Sequence, residues 1–334
     1  MITKLLTVSV AAYNMEKYLS NALDSLTDTS VIDDLEIFII DDGSTDRTLE
    51  IAMEYASKYP NSIFPVHQKN GGYGTTVNYS IAHAGGKYFK ILDADDWFDT
   101  QGLRTLIKTL RNIDTDIVLT PFYKSWEGEP EELIEIKMKA GASSPMRELT
   151  GLTHWLGIWS LCYKTKKLQA CSIKLPAHSL YTDTIYAIEP FANMKTIYYL
   201  DAPLYHYRLG RPDQSVSREN RTAHIAERMN MNLRICSFYE VQKREHNENS
   251  SILLSQIAFY HMVTMRCLLL CPVCSRNWKQ LKQYDREIQM RSADVYKNAV
   301  NYSKTGRFLW LLRKTLYLPY WLLLLIPGGF PDIK

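Results

Sequence analysis

No phosphate-binding fingerprint follows the first strand-like segment of this chain. A dinucleotide site would place GxGxxG there, but residues 11–16 read AAYNME. Gly86-Lys87 continues with Tyr88 instead of the Ser or Thr of a Walker loop, so both common nucleotide motifs lose their support. Zinc is no better served. The six cysteines show one CxxC, Cys271 to Cys274, and no second pair, so they read as reduced thiols of a cytosolic protein. A net charge of only +3 gives no global field for nucleic acid. Residues 1–7 lead straight into a strand pattern without the apolar core and cleavage site of a signal peptide, so the expected location is cytoplasmic. Near the C-terminus the uncharged run 316–326 has 11 residues, short of the roughly 20 that span a bilayer.

What is present is a chain of 334 residues, 46% hydrophobic, enough for a full core in one large domain with an appendage. Strand-like segments at residues 5–10, 36–40, 63–66 and 87–92 alternate with helical ones at about 18–26, 47–58 and 75–84. Short connections between them predict an α/β domain with a parallel sheet covered on both faces. Asn14 is the expected N-cap of the first helix, and Ser44 or Thr45 that of the second. The fourth strand ends in Asp93, Asp95 and Asp96, and the second in Asp41 and Asp42. Open α/β sheets bind ligands at the carboxyl ends of their strands, and three adjacent acids after a buried strand need a compensating charge. Tyr13 can stack on a base, a carboxylate can accept from a base or ribose, and the last acid can hold a cation on a diphosphate. The bland alternatives are turn chemistry at Asp41, Asp42 and Asp46 and a solvated loop at 93–96. The glycines 71, 72 and 74 shape a turn or offer backbone to a sugar or phosphate, and both roles stay open.

The segments VSVAAYNMEKYLSNALDSL, EIFIIDDGSTDRTLEI and QKNGGYGTTVNYSIAHAGGKYFKILDADDW together resemble the family 2 glycosyltransferases of the GT-A fold, over about residues 5–217. That resemblance implies a Rossmann-like, mostly parallel sheet with flanking helices, plus a C-terminal helical extension. It implies that Tyr13, Asp41 and Asp42 meet the nucleobase, usually uracil, and that Asp93 lies near the ribose, with Ala12, Asn70, Gly71 and Ala94 completing the donor site. Asp95 would hold Mn2+ or Mg2+ on the diphosphate. Where the family opens a helix with Glu-Asp, this chain has Thr182-Asp183, so the base role carries to Asp183 alone, with Thr182 as a helix cap. The segment from His206 to Ser217 resembles the family's YxYR stretch, which folds over the donor. It adds Arg211 and Gln214 as donor contacts and His206 as a metal or phosphate contact, or else as a packed strand residue.

Residues 155–163 read as core, and those from 219 onward as helical. Between residues 295 and 331 lie Lys297, Lys304, Arg307, Arg313 and Lys314 and no acid. Basic charge beside Trp, Tyr and Leu suits an interfacial segment on the inner face of the plasma membrane, the alternative being a helix packed on the domain or at a homodimer interface. The expected organisation is a catalytic domain at 1–217, divided at 98/99 into nucleotide and acceptor halves, a helical extension at 218–303 and a membrane-associating tail at 304–334. The expected activity is inverting, metal-assisted transfer from a UDP-sugar to a glycan or lipid-linked acceptor in polysaccharide assembly. A polyprenyl phosphate or wall-polymer acceptor is the alternative within the enzyme class, and a catalytically silent sugar-nucleotide-binding subunit is the alternative that Thr182 leaves open, with Asp95 and Asp183 against it.

Overall fold

The computed structural model describes residues 4–149, 155–211, 214–325 and 330. They fall into two compact units, residues 1–149 with 156–210 and residues 150–155 with 211–334. The first unit carries twelve strands among the described residues: β1 (Leu6–Ala12), β2 (Leu35–Asp41), β3 (Ile63–His67), β4 (Tyr88–Asp93), β5 (Trp97–Phe98), β6 (Ile117–Leu119), β7 (Phe122–Trp126), β8 (Glu132–Ile134), β9 (Ser143–Pro145), β10 (Leu161–Lys164), β11 (Thr196–Tyr199) and β12 (Tyr205–Leu209). Its helices are α1 (Leu19–Asp24), α2 (Thr48–Lys58), α3 (Tyr73–His83), α4 (Thr100–Asn112), α5 (Thr165–Ala170) and α6 (Asp183–Ile188).

Eight strands form one sheet in the order β3-β2-β1-β4-β10-β6-β11-β9. The first four are parallel, as the run of β-branched and aromatic residues buried on both faces requires, and β10 then runs antiparallel to both of its neighbours. Register is what builds the site. Ala12 pairs with Asp41 on one side of β1, and Ala11 with Asp93 on the other, so the acidic ends of β2 and β4 flank the end of β1. A second sheet, β5-β12-β7-β8, begins directly after the acidic cluster, and His206 pairs there with Trp97.

The second unit is helical: α7 (Arg218–Ala223), α8 (Ile225–Arg244), α9 (Ser250–Leu270), α10 (Ser275–Arg291), α11 (Ala293–Asn298), α12 (Ser303–Lys314) and a closing 3-10 segment, Leu318–Leu325. By length and composition α9 is long and apolar enough to cross a membrane, yet 72% of its apolar window is buried. It is the core helix of this unit. Its buried His261 lies beside Asn232 of α8 and Asp285 of α10, polar partners inside the helical packing.

Candidate active site

The loop after β1 is fastened to the turn after β2 by side chains. Asn14 does not cap α1: its backbone is left-handed, at φ 53°, and its Oδ1 accepts from the Thr45 amide at 2.8 Å. The Ser44 hydroxyl in turn accepts from the Asn14 amide, so neither Ser44 nor Thr45 caps α2. Asp46 does that work, its Oδ1 accepting from the Thr48 amide at 3.0 Å while Oδ2 accepts from the Glu16 amide. Tyr13 stands at the rim, 48% exposed, and Ala12 beside it is buried.

Asp41 and Asp42 are both buried and both engaged within the protein. Asp41 accepts from the Ser44 amide at 3.1 Å and pairs with His67 Nδ1 at 2.6 Å. Asp42 accepts from Gln68 and from the amides of Gly71 and Gly72 at 2.7–2.9 Å, and its carbonyl accepts from Asn70. Asp42, Asn70 and Gly71 thus form one tied turn at the start of α3. Gly72 takes φ +82°, which lets the chain turn so sharply, and a Cβ on Gly74 would sit 2.4 Å from the Pro176 carbonyl. Through these glycines the segment 172–182 lies across the N-terminal end of α3, held by the His178 amide donating to the Gly71 carbonyl at 2.7 Å.

At the end of β4, Asp93, Asp95 and Asp96 place ligand oxygens within 4.8 Å of one another. They are not equivalent. Asp96 is buried, with one oxygen accepting from the Tyr205 hydroxyl at 2.6 Å and the other from the Arg208 amide at 2.7 Å. The Tyr205 hydroxyl also accepts from the Asp93 amide, so it bridges the cluster. Asp93 differs: its Oδ1 is buried without a hydrogen-bond partner among the described residues. Burial first, then the neighbouring Asp95 charge, push its carboxyl up to about 8, Asp183 adding to the rise while the Tyr73 hydroxyl beside it pulls the other way. A carboxylate with one buried, unpartnered oxygen next to a second acid is a hard-oxygen set that fits a divalent cation. Asp93 and Asp95 are the ligands it offers, since both oxygens of Asp96 are already engaged. Ala94 between them is buried.

Asp183 opens α6, and its charge acts on Asp93 and on the buried Tyr73 hydroxyl. Asp95, the Tyr73 hydroxyl and Asp183 are thus the groups whose charge or hydrogen bond the Asp93 carboxyl feels. Thr182 does not cap the helix; among the described residues its buried hydroxyl has no partner. His206 falls outside the carboxylate group. Its Nδ1 pairs with Glu131 at 2.8 Å, and its ring is stacked between Trp97 and Tyr123 at 5.0 and 4.7 Å, the surroundings of a packed strand residue. Arg211 and Gln214 belong to the second unit, where the Arg211 amide donates to the Gln214 side chain.

Three contributors were not singled out as site residues by motif. Tyr205 and Arg208 serve Asp96, and the Arg208 guanidinium donates to the Asp95 carbonyl at 2.7 Å while lying over Trp97 and Tyr18. The available signal was Asp96 itself, an acid entering an apolar strand that must find a donor. Lys90, fully buried within β4, donates to the carbonyls of Ile158, Trp159 and Leu161 at 2.9–3.3 Å. A lysine inside an otherwise apolar strand was its signal.

An acidic cluster at the carboxyl ends of a parallel sheet, closed by a second small sheet, is the GT-A architecture. The crystal structure of S. aureus TarS 1-349 in complex with UDP-GlcNAc superposes with a TM-score of 0.58, covering 88% of this chain and 89% of that one at 18% identity. Residues 7–171 match the sequence model of Glycosyl transferase family 2, so this segment of the chain is a domain of that family. It is similar to glycosyltransferase EpsH of Bacillus subtilis (strain 168), 27% identical over 217 residues, which make up 63% of this chain and 62% of EpsH. Glycosyltransferase YibD of Escherichia coli (strain K12) is 24% identical over 306 residues, 89% of this chain and 87% of YibD. The match to EpsH thus spans less than two thirds of that relative's length.

Proposed function

We propose that this protein transfers a sugar from a nucleotide donor, a UDP-sugar, to an acceptor hydroxyl by single displacement with inversion. One observation carries the reading: the segment that leads into Asp183 is held to the start of α3 by the His178 amide on the Gly71 carbonyl, next to Tyr73, while Asp93 Oδ1 in the DxD cluster is buried without a partner among the described residues and the Asp183 charge adds to the rise of that carboxyl. A general base and a diphosphate site must face each other across the reacting carbon, and no structural need brings two acids together unaided. The UDP and UDP-GlcNAc bound in the TarS crystals support the choice of donor.

In this reading Tyr13 stacks on the base, and the turn built by Asp41, Asp42, Asn70 and Gly71 shapes the wall beside it. Asp93 and Asp95 would hold Mn2+ or Mg2+, which when bound neutralises charge on the departing diphosphate. Arg211 and Gln214 are assigned to the donor's phosphates on chemistry alone. The acceptor oxygen forms its bond to the anomeric carbon as the bond to the diphosphate breaks, and its proton passes to Asp183. An ordinary Asp, at about 3.9, is too weak to deprotonate an alcohol beforehand, so the transfer is late and concerted with attack. We assign the acceptor to a cell-surface glycan or its lipid-linked precursor.

Titration calorimetry of UDP, GDP and TDP with and without Mn2+, on the wild type and Asp95→Ala, tests donor binding. UDP binding that strengthens with Mn2+ only in the wild type supports the assignment, and no nucleotide binding under any condition overturns it. Asp183→Asn should leave UDP affinity within about twofold and lower transfer by about 10²–10⁴. Transfer close to wild type would reduce Asp183 to a helix-start acid.

A further inference from the structure

The C-terminal segment of the second unit exposes an apolar surface that its own fold does not cover. Trp310, Leu316, Leu318, Leu322, Leu324 and Leu325 are between 52% and 77% exposed. Singly exposed leucines are ordinary, but this many within one short stretch form a patch that calls for a partner.

The patch belongs to a well-anchored element. Arg313 of α12 is bound by Asp285 through both oxygens, at 2.7 and 2.8 Å. The Tyr317 hydroxyl donates to the same carboxylate, and the Trp278 indole N–H donates to the Tyr317 carbonyl at 3.2 Å. Leu312, Tyr317, Tyr320 and Leu323 are buried. One set of side chains fastens the segment to the unit and the other is left outward. Arg313, although basic, serves the interior.

Along this stretch of the sequence the charges are of one sign. Lys304, Arg307 and Lys314 are exposed, and no acid occurs between residues 295 and 331. Trp278, whose ring lies 6.2 Å from that of Trp321, brings α10 to the rim, with Lys282 over its face at 4.1 Å and Lys279 and Arg276 exposed nearby. Residues 326–329 and 331–334, the end of the expected tail, lie outside the described residues.

We propose that this face docks on an anionic lipid surface, lying in the interface without crossing it. An eight-residue 3-10 segment rises only about 16 Å, roughly half of the hydrocarbon thickness. Leucines and tryptophans at the acyl boundary, with exposed cations in the same stretch and on α10, match the composition of interfacial segments. A second copy of the chain fits less well, because a two-fold interface sets the same patch against itself and would bring basic rim against basic rim.

Cosedimentation of the full chain with lipid vesicles tests this without any assay of activity. Vesicles with about 30% phosphatidylglycerol should pellet the wild type, and pure phosphatidylcholine far less. Combining Lys304→Gln, Arg307→Gln and Lys314→Gln should lower the partition coefficient roughly a hundredfold, about fivefold for each charge. Leu318→Ser with Leu322→Ser and Leu325→Ser should lower it at least about tenfold even on anionic vesicles. Unchanged UDP affinity and circular dichroism in both variants would show that the fold persists. The idea is overturned by a wild type that ignores anionic vesicles or by variants that partition like the wild type. It is equally overturned if light scattering finds a dimer that the leucine variant dissociates, which would make the patch a self-association surface.

Discussion

Lys90 shows how one side chain can both strain and organise a core. Burial pushes its ammonium down to about 8, against a smaller opposing effect of the Cys162 thiol, and its recorded neighbours among the described residues are carbonyl oxygens and the rings of Phe98 and Tyr205. Below pH 8 the amine is protonated in folded and unfolded chains alike, and the burial cost, on the order of 3 kcal/mol, is felt in full. As pH rises towards the ordinary value of 10.5, the folded chain has released its proton and the cost fades. Urea unfolding of the wild type and Lys90→Met should therefore show the wild type gaining relative to the variant between pH 8 and 10.5. A flat difference would mean that Lys90 titrates normally. Asn14 gives a second test at this scale. Asn14→Ala loses the bond to Thr45 and keeps an unfavourable left-handed backbone, so it should cost about 1–2 kcal/mol, and Asn14→Gly less. Neither role follows from local sequence, since Asn14 reads equally well as a cap and Lys90 as a misfit.

At the scale of elements, the N-terminal end of α3 and the segment 172–182 depend on each other. Asn78 of α3 makes two hydrogen bonds with the backbone of Leu175, and Gly74 allows the Pro176 carbonyl to approach. Gly74→Ala should cost about 1–3 kcal/mol in thermal unfolding through this clash. Because the displaced segment leads into Asp183, the variant should also lose more in transfer rate than in UDP affinity. Equal losses in both would point to a general loosening of the domain. The strands and helices up to β4 were legible in the sequence because their periodicities and turns are local. The meeting of α3 with residues 172–182 was not, because nothing in the glycines' own neighbourhood says which distant backbone will need the space.

For the second unit as a whole, the Asp285 cluster is the main buried polar feature. Burial by itself would raise the Asp285 carboxyl, but hydrogen bonds from Arg313 and His261 outweigh it and hold the group well below the usual carboxylate range. It joins α9, α10, α12 and Tyr317 at one point. Asp285→Ala leaves a buried guanidinium without its anion and should destabilise the unit by about 3–5 kcal/mol, with Asp285→Asn milder. Differential scanning calorimetry would decide, and an unchanged melting profile in Asp285→Ala would show that the cluster contributes little. The same cluster explains why the apolar α9 belongs to a core: its middle is tied by His261 to polar groups inside the protein.

By itself the sequence determined the alternating α/β pattern, the acids at the strand ends and the family they mark, because hydrophobic period, turn chemistry and short motifs are properties of neighbouring residues. Only the tertiary structure decided which acids face a ligand and which face the protein. Asp96 finds Tyr205 109 residues away because β12 pairs beside β5, whereas Asp93 is left with an unpartnered oxygen near Asp183. Hydrogen-bond partners across a fold are chosen by register and packing, and those are settled only once the whole chain has closed on itself.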